Sequence, residues 1–303
     1  MSNVNRIPII EDYLKVSVHP LRHTGGRRSA IQRKSDPKLP LVTIFTIVRN
    51  QKETLSQTIM SVLGQSYTNI EYVIIDGAST DGTLEVIKQF DDKIDLWISE
   101  PDHGTSDASN KAISLAGGDF IFWLPADDWI DPNFIEIAVK ALLRTGADFV
   151  FGNMAMYTNG KLVSLTKGDK DYVKSLARGD PSFNYPCMVI NKECFQKFGL
   201  IDLSYKFSND YEWLLRCHQS GGKGYYENLL IVHRRTGGFG ERHLFKSTLE
   251  QLRILKQYRL PMAKAINIYL ECFVRRGIGY CAKLFLPEII HKKLKLVACR
   301  RKQ

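Results

Sequence analysis

From Leu41 onward the chain alternates between unbroken apolar runs and stretches with helical spacing. Leu41-Val-Thr-Ile-Phe-Thr-Ile-Val48 carries no charge and is rich in β-branched and aromatic side chains, as expected of a parallel strand buried on both faces. A helix is predicted over 53–63, and a second strand over 70–76. The alternation continues with a helix over 83–90, a strand over 94–98, a helix over 106–115 and a strand over 120–124. A helix over 132–145 then leads to a strand over 148–151. Strand and helix in this rhythm predict crossover units and an open, mostly parallel α/β sheet. Ligands bind such sheets beyond the carboxyl ends of the strands.

Two flanks differ from this body. Residues 1–40, with Gly25-Gly26-Arg27-Arg28 and a Pro-bounded end, read as a loosely ordered basic arm. Residues 249–303 read as a helix followed by a basic amphipathic tail, in which Leu284-Phe-Leu-Pro-Glu-Ile-Ile290 adjoins His291-Lys-Lys-Leu-Lys-Leu-Val297. The domain itself is expected over 41–248, divided near 130 into a nucleotide-binding half and an acceptor half. Of the net charge of +10, residues 1–40 hold +5 and residues 251–303 hold +11, which leaves −6 on residues 41–250. An acidic body argues against nucleic acid as the partner, while the basic tail fits peripheral contact with an anionic membrane surface. Six cysteines form no Cys-x-x-Cys pair and no zinc-like spacing with the histidines. No signal peptide and no spanning run of apolar residues is recognised. A cytoplasmic location follows, with the tail on the inner face of the plasma membrane.

Three strand ends carry polar signals: Arg49-Asn50, Asp76-Gly77 and Asp127-Asp128. The last is the most telling. Asp119-Phe-Ile-Phe-Trp-Leu-Pro-Ala-Asp-Asp128 drives an apolar strand into two adjacent carboxylates, which repel unless a cation or hydrogen-bond donors lie between them. They read equally well as caps of the helix that follows Pro132. Neither a Gly-x-Gly-x-x-Gly turn nor a phosphate-binding loop is present. A nucleotide diphosphate fits the edge by another route: a divalent metal, Mn or Mg, at Asp127 and Asp128 bridges the phosphates, and Asp76 accepts a hydrogen bond from the base.

In the same order, Thr43–Asn50, Tyr72-Val-Ile-Ile-Asp-Gly-Ala-Ser-Thr-Asp-Gly-Thr83, Ser99-Glu-Pro-Asp-His-Gly-Thr-Ser-Asp-Ala-Ser-Asn-Lys111 and Ala116-Gly-Gly-Asp-Phe-Ile-Phe-Trp-Leu-Pro-Ala-Asp-Asp-Trp129 resemble the motifs of the family 2 glycosyltransferases. The resemblance spans roughly residues 41–240. It implies a GT-A fold, Rossmann-like in its first half and mixed on the acceptor side. It also implies an inverting, metal-dependent transfer from a nucleotide sugar, expected to be a UDP-sugar, to a saccharide or lipid-linked saccharide of the cell surface. Asp76 then contacts the base, Asp107 and Asn110 line the donor site, and Asp127 and Asp128 form a DxD-like site. Pro125 stands where many members have Asp or Asn, so the acid rests on Asp127 and Asp128 alone.

An inverting transfer needs a carboxylate base. Ser208-Asn-Asp-Tyr-Glu-Trp-Leu-Leu-Arg216 resembles the family segment that supplies it, with Asp210 at the base position. Asn209 and Glu212 can also be read as a capping box. His233-Arg-Arg-Thr-Gly-Gly-Phe-Gly240 resembles a loop that closes over the diphosphate, making Arg234 and Arg235 candidates for phosphate contact. Asp180-Pro-Ser-Phe-Asn-Tyr-Pro-Cys-Met188 resembles a loop over the donor sugar. The Gln-x-x-Arg-Trp element of processive synthases is missing, which favours a single addition. Alternatives are a sugar nucleotidyltransferase and a non-catalytic basic adaptor for membrane or nucleic acid.

Overall fold

The computed structural model of the chain describes residues 7–14, 19–28, 33–177, 187–238 and 243–260, together with Ile266 and Leu270. A ten-stranded sheet organises them. Its first half is parallel: β2 (Val42–Val48) lies between β3 (Ile70–Asp76) and β5 (Phe120–Trp123), and β4 (Leu96–Ser99) flanks β3. Helices α2 (Lys52–Leu63), α3 (Thr83–Lys88) and α4 (Thr105–Leu115) provide the crossovers. Both sheet faces are dry, so successive residues of β2 enter different cores. Val42, Ile44 and Val48 pack with Leu55, Ile59 and Phe134, while Phe45 packs with Ala108, Ala112 and Ile113. That explains the unbroken apolar run.

The second half is mixed. Strand β9 (Val189–Asn191) runs antiparallel to β5 and joins it to β7 (Phe149–Thr158), which pairs in parallel with β10 (Gly224–Arg235). Strand β6 (Trp129–Ile130) closes that edge against β10. Helices α5 (Phe134–Thr145), α6 (Tyr172–Ala177), α7 (Glu193–Phe198), α8 (Asn209–Gln219) and α9 (Leu244–Gln257) cover the faces. Strand β7 extends well past the predicted end at residue 151 and turns through Asn159-Gly160 into β8 (Lys161–Thr166). Both turn residues have positive φ, 50° and 73°, the geometry of a type I′ hairpin.

Residues 1–40 differ from the expected loose arm wherever they are described. Helix α1 (Ile10–Leu14) lies against α4, and β1 (His23–Gly25) adds an antiparallel strand to β4. The physical reason lies in charge. Glu71, Asp95 and Glu100 are at most 4% exposed, and a buried carboxylate demands a partner. Arg28 pairs with Glu71 at 3.2 Å, Arg27 and Arg33 with Asp95 at 3.3 and 3.0 Å, and Arg22 with Glu100 at 2.5 Å. The acidic body and the basic arm are two parts of one electrostatic unit. The tail over 284–303 lies outside the described residues.

Replacing Arg27 and Arg33 together by Ala leaves Asp95 buried with only the Tyr72 backbone N–H as donor. Because both arginines are partly exposed, the expected loss is about 2 kcal/mol of folding stability, below the 3–5 kcal/mol typical of a fully buried pair. Urea denaturation at neutral pH measures it.

Candidate active site

Three backbone carbonyls fix the acidic turn after β5. Thr54 Oγ1 donates to the Ala126 carbonyl at 3.0 Å, Thr58 Oγ1 to that of Asp128 at 2.7 Å, and the Arg235 guanidinium to that of Asp127. Donors from α2 and β10 therefore grip the turn from both sides. Neither aspartate caps a helix: β6 intervenes, and the N-cap of α5 is Asn133. Asp131, the third acid of the run, accepts a hydrogen bond from His233 Nε2 at 2.9 Å. Asp127 is half-buried, whereas Asp128 is fully buried and neither of its carboxylate oxygens has a hydrogen-bond partner. Burial, reinforced by the neighbouring Asp127 charge, pushes the Asp128 carboxyl well above the usual range. The Arg234 charge, the Arg235 backbone N–H and the Arg235 charge oppose the shift, yet no donor reaches full hydrogen-bond geometry on either oxygen.

A second polar group forms where the turns after β2 and β3 interlock. The Gly77 N–H bonds the Val48 carbonyl, and Asn50, in the left-handed region at φ 55°, accepts from the Thr80 N–H. Asp76 is fully buried and accepts from Ser79 Oγ, the Ser79 N–H and Ser99 Oγ. A carboxylate offers about four acceptor sites, so roughly one remains for a ligand. Asp102 lies directly over Gly77, where a Cβ would stand 2.4 Å from its Oδ2. Burial raises its carboxyl, and Arg49 and Lys111 work against that. It was not singled out from the sequence, although its Asp-x-Gly setting was visible.

Asp107 is half-buried at the start of α4, where it accepts from the His103 N–H at 3.1 Å and from Tyr13 Oη at 3.0 Å. It braces the loop that carries Asp102. Asn110 is not brought to the cleft. Its amide is fully buried and exchanges hydrogen bonds with both the Ile201 carbonyl and the Ile201 N–H, at 2.8 and 2.9 Å. A short amide aimed at a neighbouring backbone cannot also face a ligand.

Asp210 lies in the first turn of α8, directly after Asn209. No capping box forms: the N-cap is Ser208, without a side-chain cap, and Glu212 turns inward to Arg216 and Tyr258. The preceding turn is held from α9, where the Glu250 carboxylate accepts from the backbone N–H groups of Lys206, Phe207 and Ser208 at 2.9, 2.7 and 3.0 Å. Asp210 itself is half-buried and accepts from the Tyr211 N–H at 2.8 Å. Burial pushes its carboxyl up to about 6, with Glu250 adding to the rise and Arg234 opposing it.

Arg234 acts on Asp128 and Asp210 alike. A Cβ on Gly238 would stand 3.2 Å from its Nη2 and 3.8 Å from Asp127 Oδ2. Its guanidinium makes no hydrogen bond with a described residue. Arg235 is already engaged, since its guanidinium binds the Asp127 carbonyl and Gln57 and lies over the Trp129 ring at 5.0 Å. Of the loop over 233–240, residues 239 and 240 lie outside the described residues, as does most of the 180–188 loop.

Known proteins place this edge in a family. Residues 43–192 match the family described as Glycosyl transferase family 2. An uncharacterized glycosyltransferase of Haemophilus influenzae is 30% identical over 245 residues, covering 77% of this chain and 94% of that one. The chain is a family 2 glycosyltransferase. It is also similar to the Escherichia coli enzyme named UDP-Glc:alpha-D-GlcNAc-diphosphoundecaprenol beta-1,3-glucosyltransferase WfgD, with 35% identity over 125 residues, 41% of this chain and 49% of WfgD. Among solved structures, the mannosyltransferase PcManGT of Pyrobaculum calidifontis, in complex with GDP-Man and Mn2+, superposes with a TM-score of 0.57 at 15% identity. The match covers 97% of this chain and 86% of PcManGT. The fold of this glycosyltransferase is accordingly the GT-A one expected from its motifs.

Two adjacent carboxylates, one of them buried with both oxygens unpartnered, fit a divalent cation. Among the described residues no group of three or more His, Cys, Asp or Glu side chains converges. A cation at Asp127 and Asp128 would take its remaining ligands from a diphosphate and water, the arrangement common for Mg2+. The sign of the linkage is testable. A carboxyl raised in the folded state keeps its proton while that of the unfolded chain ionises, so the metal-free protein loses stability as pH rises above the ordinary carboxylate range. Asp128→Asn should raise Tm of metal-free protein by a few degrees at neutral pH, and abolish the further rise that Mn2+ gives the parent. Differential scanning calorimetry with and without Mn2+ provides both readings.

Proposed function

We propose that this glycosyltransferase moves one sugar from a nucleotide donor, a UDP-sugar, to a saccharide or lipid-linked saccharide acceptor, with inversion at the anomeric carbon. The carrying observation is that the Arg234 guanidinium and the Asp127 carboxylate meet at Gly238, 3.2 and 3.8 Å from where a Cβ would stand, with the Arg234 charge also felt at Asp210. That arrangement supports a single cleft in which leaving group and base flank the reacting carbon. WfgD, with its named UDP-glucose donor and diphosphoundecaprenol-linked acceptor, supports the substrate classes, and the named teichuronic acid role of a Bacillus subtilis relative supports cell-surface polysaccharide as the product.

In this reading the acceptor hydroxyl gives its proton to Asp210 as its oxygen attacks the anomeric carbon. The bond to the diphosphate breaks on the opposite face. Asp76 and Asp102 hold the nucleoside end, and Arg234 answers the negative charge that develops on the departing diphosphate. Asp127 and Asp128 would hold a divalent cation, which when bound would supply Lewis-acid stabilisation of that same charge. An Asp base with its carboxyl near 6 is ionised at neutral pH yet basic enough to accept a proton in the transition state. A lipid-linked acceptor places the enzyme at the inner face of the plasma membrane.

Transfer kcat/KM should therefore rise with pH through an acid limb near 6, where Asp210 loses its proton. Asp210→Asn should lower kcat by roughly a thousandfold, with nucleotide affinity retained. A panel of nucleotide sugars in a hydrolysis assay with Mn2+ or Mg2+ identifies the donor. Full transfer activity in Asp210→Asn would remove the base assignment.

A further inference from the structure

Helix α9 carries a cationic face that the reaction does not use. Lys246, Leu249, Arg253 and Lys256 follow one another at spacings of three, four and three, so they share one side of the helix. All four are exposed, Leu249 at 52%. None of the three cations has a carboxylate partner among the described residues. Instead, Lys246 Nζ lies 5.9 Å from the centre of the Phe207 ring, and the Arg253 guanidinium lies 5.1 Å from that of Tyr205. Glu250, the one acid beside this stripe, is turned onto the backbone N–H groups of Lys206, Phe207 and Ser208. The face is therefore cationic with an apolar centre.

Its position matters as much as its charge. Through Glu250 the helix is fastened to the turn that leads into Asp210. Lys206 on that turn also reaches across to the donor-side loop, where a Cβ on Gly104 would meet its Cε at 4.0 Å. A positive face with an exposed Leu among lysines matches the headgroup region of an anionic bilayer, where basic side chains meet phosphate and the apolar residue enters the acyl boundary. Duplex nucleic acid matches it less well, since it offers no partner for Leu249.

We propose that the face of α9 formed by Lys246, Leu249, Arg253 and Lys256 docks on an anionic phospholipid surface and holds the Asp210 side of the cleft toward it. The proposal rests on the lipid-linked acceptor reading above, and adds a docking site distinct from the tail.

The test uses the full chain and vesicles of phosphatidylcholine, alone or mixed with phosphatidylglycerol, in a cosedimentation assay. Binding is expected on the mixed vesicles and is expected to weaken with salt. The triple variant Lys246→Ser, Arg253→Ser, Lys256→Ser should lose about a hundredfold in partitioning, since each basic residue near the surface contributes roughly a fivefold factor. Leu249→Ser should lose less, without changing the salt dependence. These side chains are exposed, so folding and nucleotide-sugar hydrolysis should stay at parental levels. Absence of parental binding, or triple-variant binding equal to the parent, overturns the proposal. Hydrolysis is read separately, so loss of the transferase reading and loss of the docking face are distinguishable.

Discussion

An ionised carboxylate is expensive to bury, and among the described residues this chain buries six: Glu71, Asp76, Asp95, Glu100, Asp128 and Glu212. Five are answered from within the protein. Glu71, Asp95 and Glu100 meet arginines of the N-terminal arm, Asp76 meets serine hydroxyls, and Glu212 meets Arg216 and the Tyr258 hydroxyl. Asp128 is the sixth: among the described residues only the Arg235 backbone N–H approaches its oxygens, short of full hydrogen-bond geometry. Its exception is what marks the functional edge. A group left unsatisfied in a fold that satisfies its equivalents points to a partner that arrives from outside.

The scaffold that tolerates this charge is built from short, directional bonds. Thr54 and Thr58 on α2 and Arg235 on β10 hold the carbonyls of the acidic turn, so the carboxylates are positioned by backbone fixed on two sides. On the nucleotide side, Gly77 leaves room for Asp102 to lie over the chain, and Asp107 ties that loop to Tyr13. Within the arginine pair of β10 the two differ: Arg235 is part of the frame, and the Arg234 guanidinium lies at Gly238 beside Asp127.

The parallel half of the sheet was legible because its strands are buried on both faces, and the elements over 42–145 follow the apolar rhythm closely. The acceptor half was less so. Strand β7 is fully buried only as far as Asn153, and most of β8 is exposed, which blurs the apolar run. Even so, Asn159-Gly160 was a readable hairpin signal. The arm over 1–40 looked loose because its anchoring is ionic and long-range: Arg27 and Arg33 meet Asp95 more than sixty positions later, a distance that no local pattern encodes. The same blindness applies to Asn110, whose amide pairs with Ile201, and to Glu250, whose carboxylate serves a turn some forty residues upstream. Strand-end acids were visible as types. Which of them would be satisfied internally was not, because that depends on donors brought in by the fold.

The hold of Glu250 on the turn before Asp210 has a consequence for how the molecule matures during synthesis. The parallel half of the sheet, β2 through β5, is complete by residue 123, and its pairing can begin while the rest of the chain is still being made. The turn before Asp210 must wait for α9, which begins at residue 244. Until that helix leaves the ribosome, three backbone N–H groups beside Asp210 lack their acceptor. The nascent chain thus gains its parallel half early, and the turn before Asp210 is fixed last.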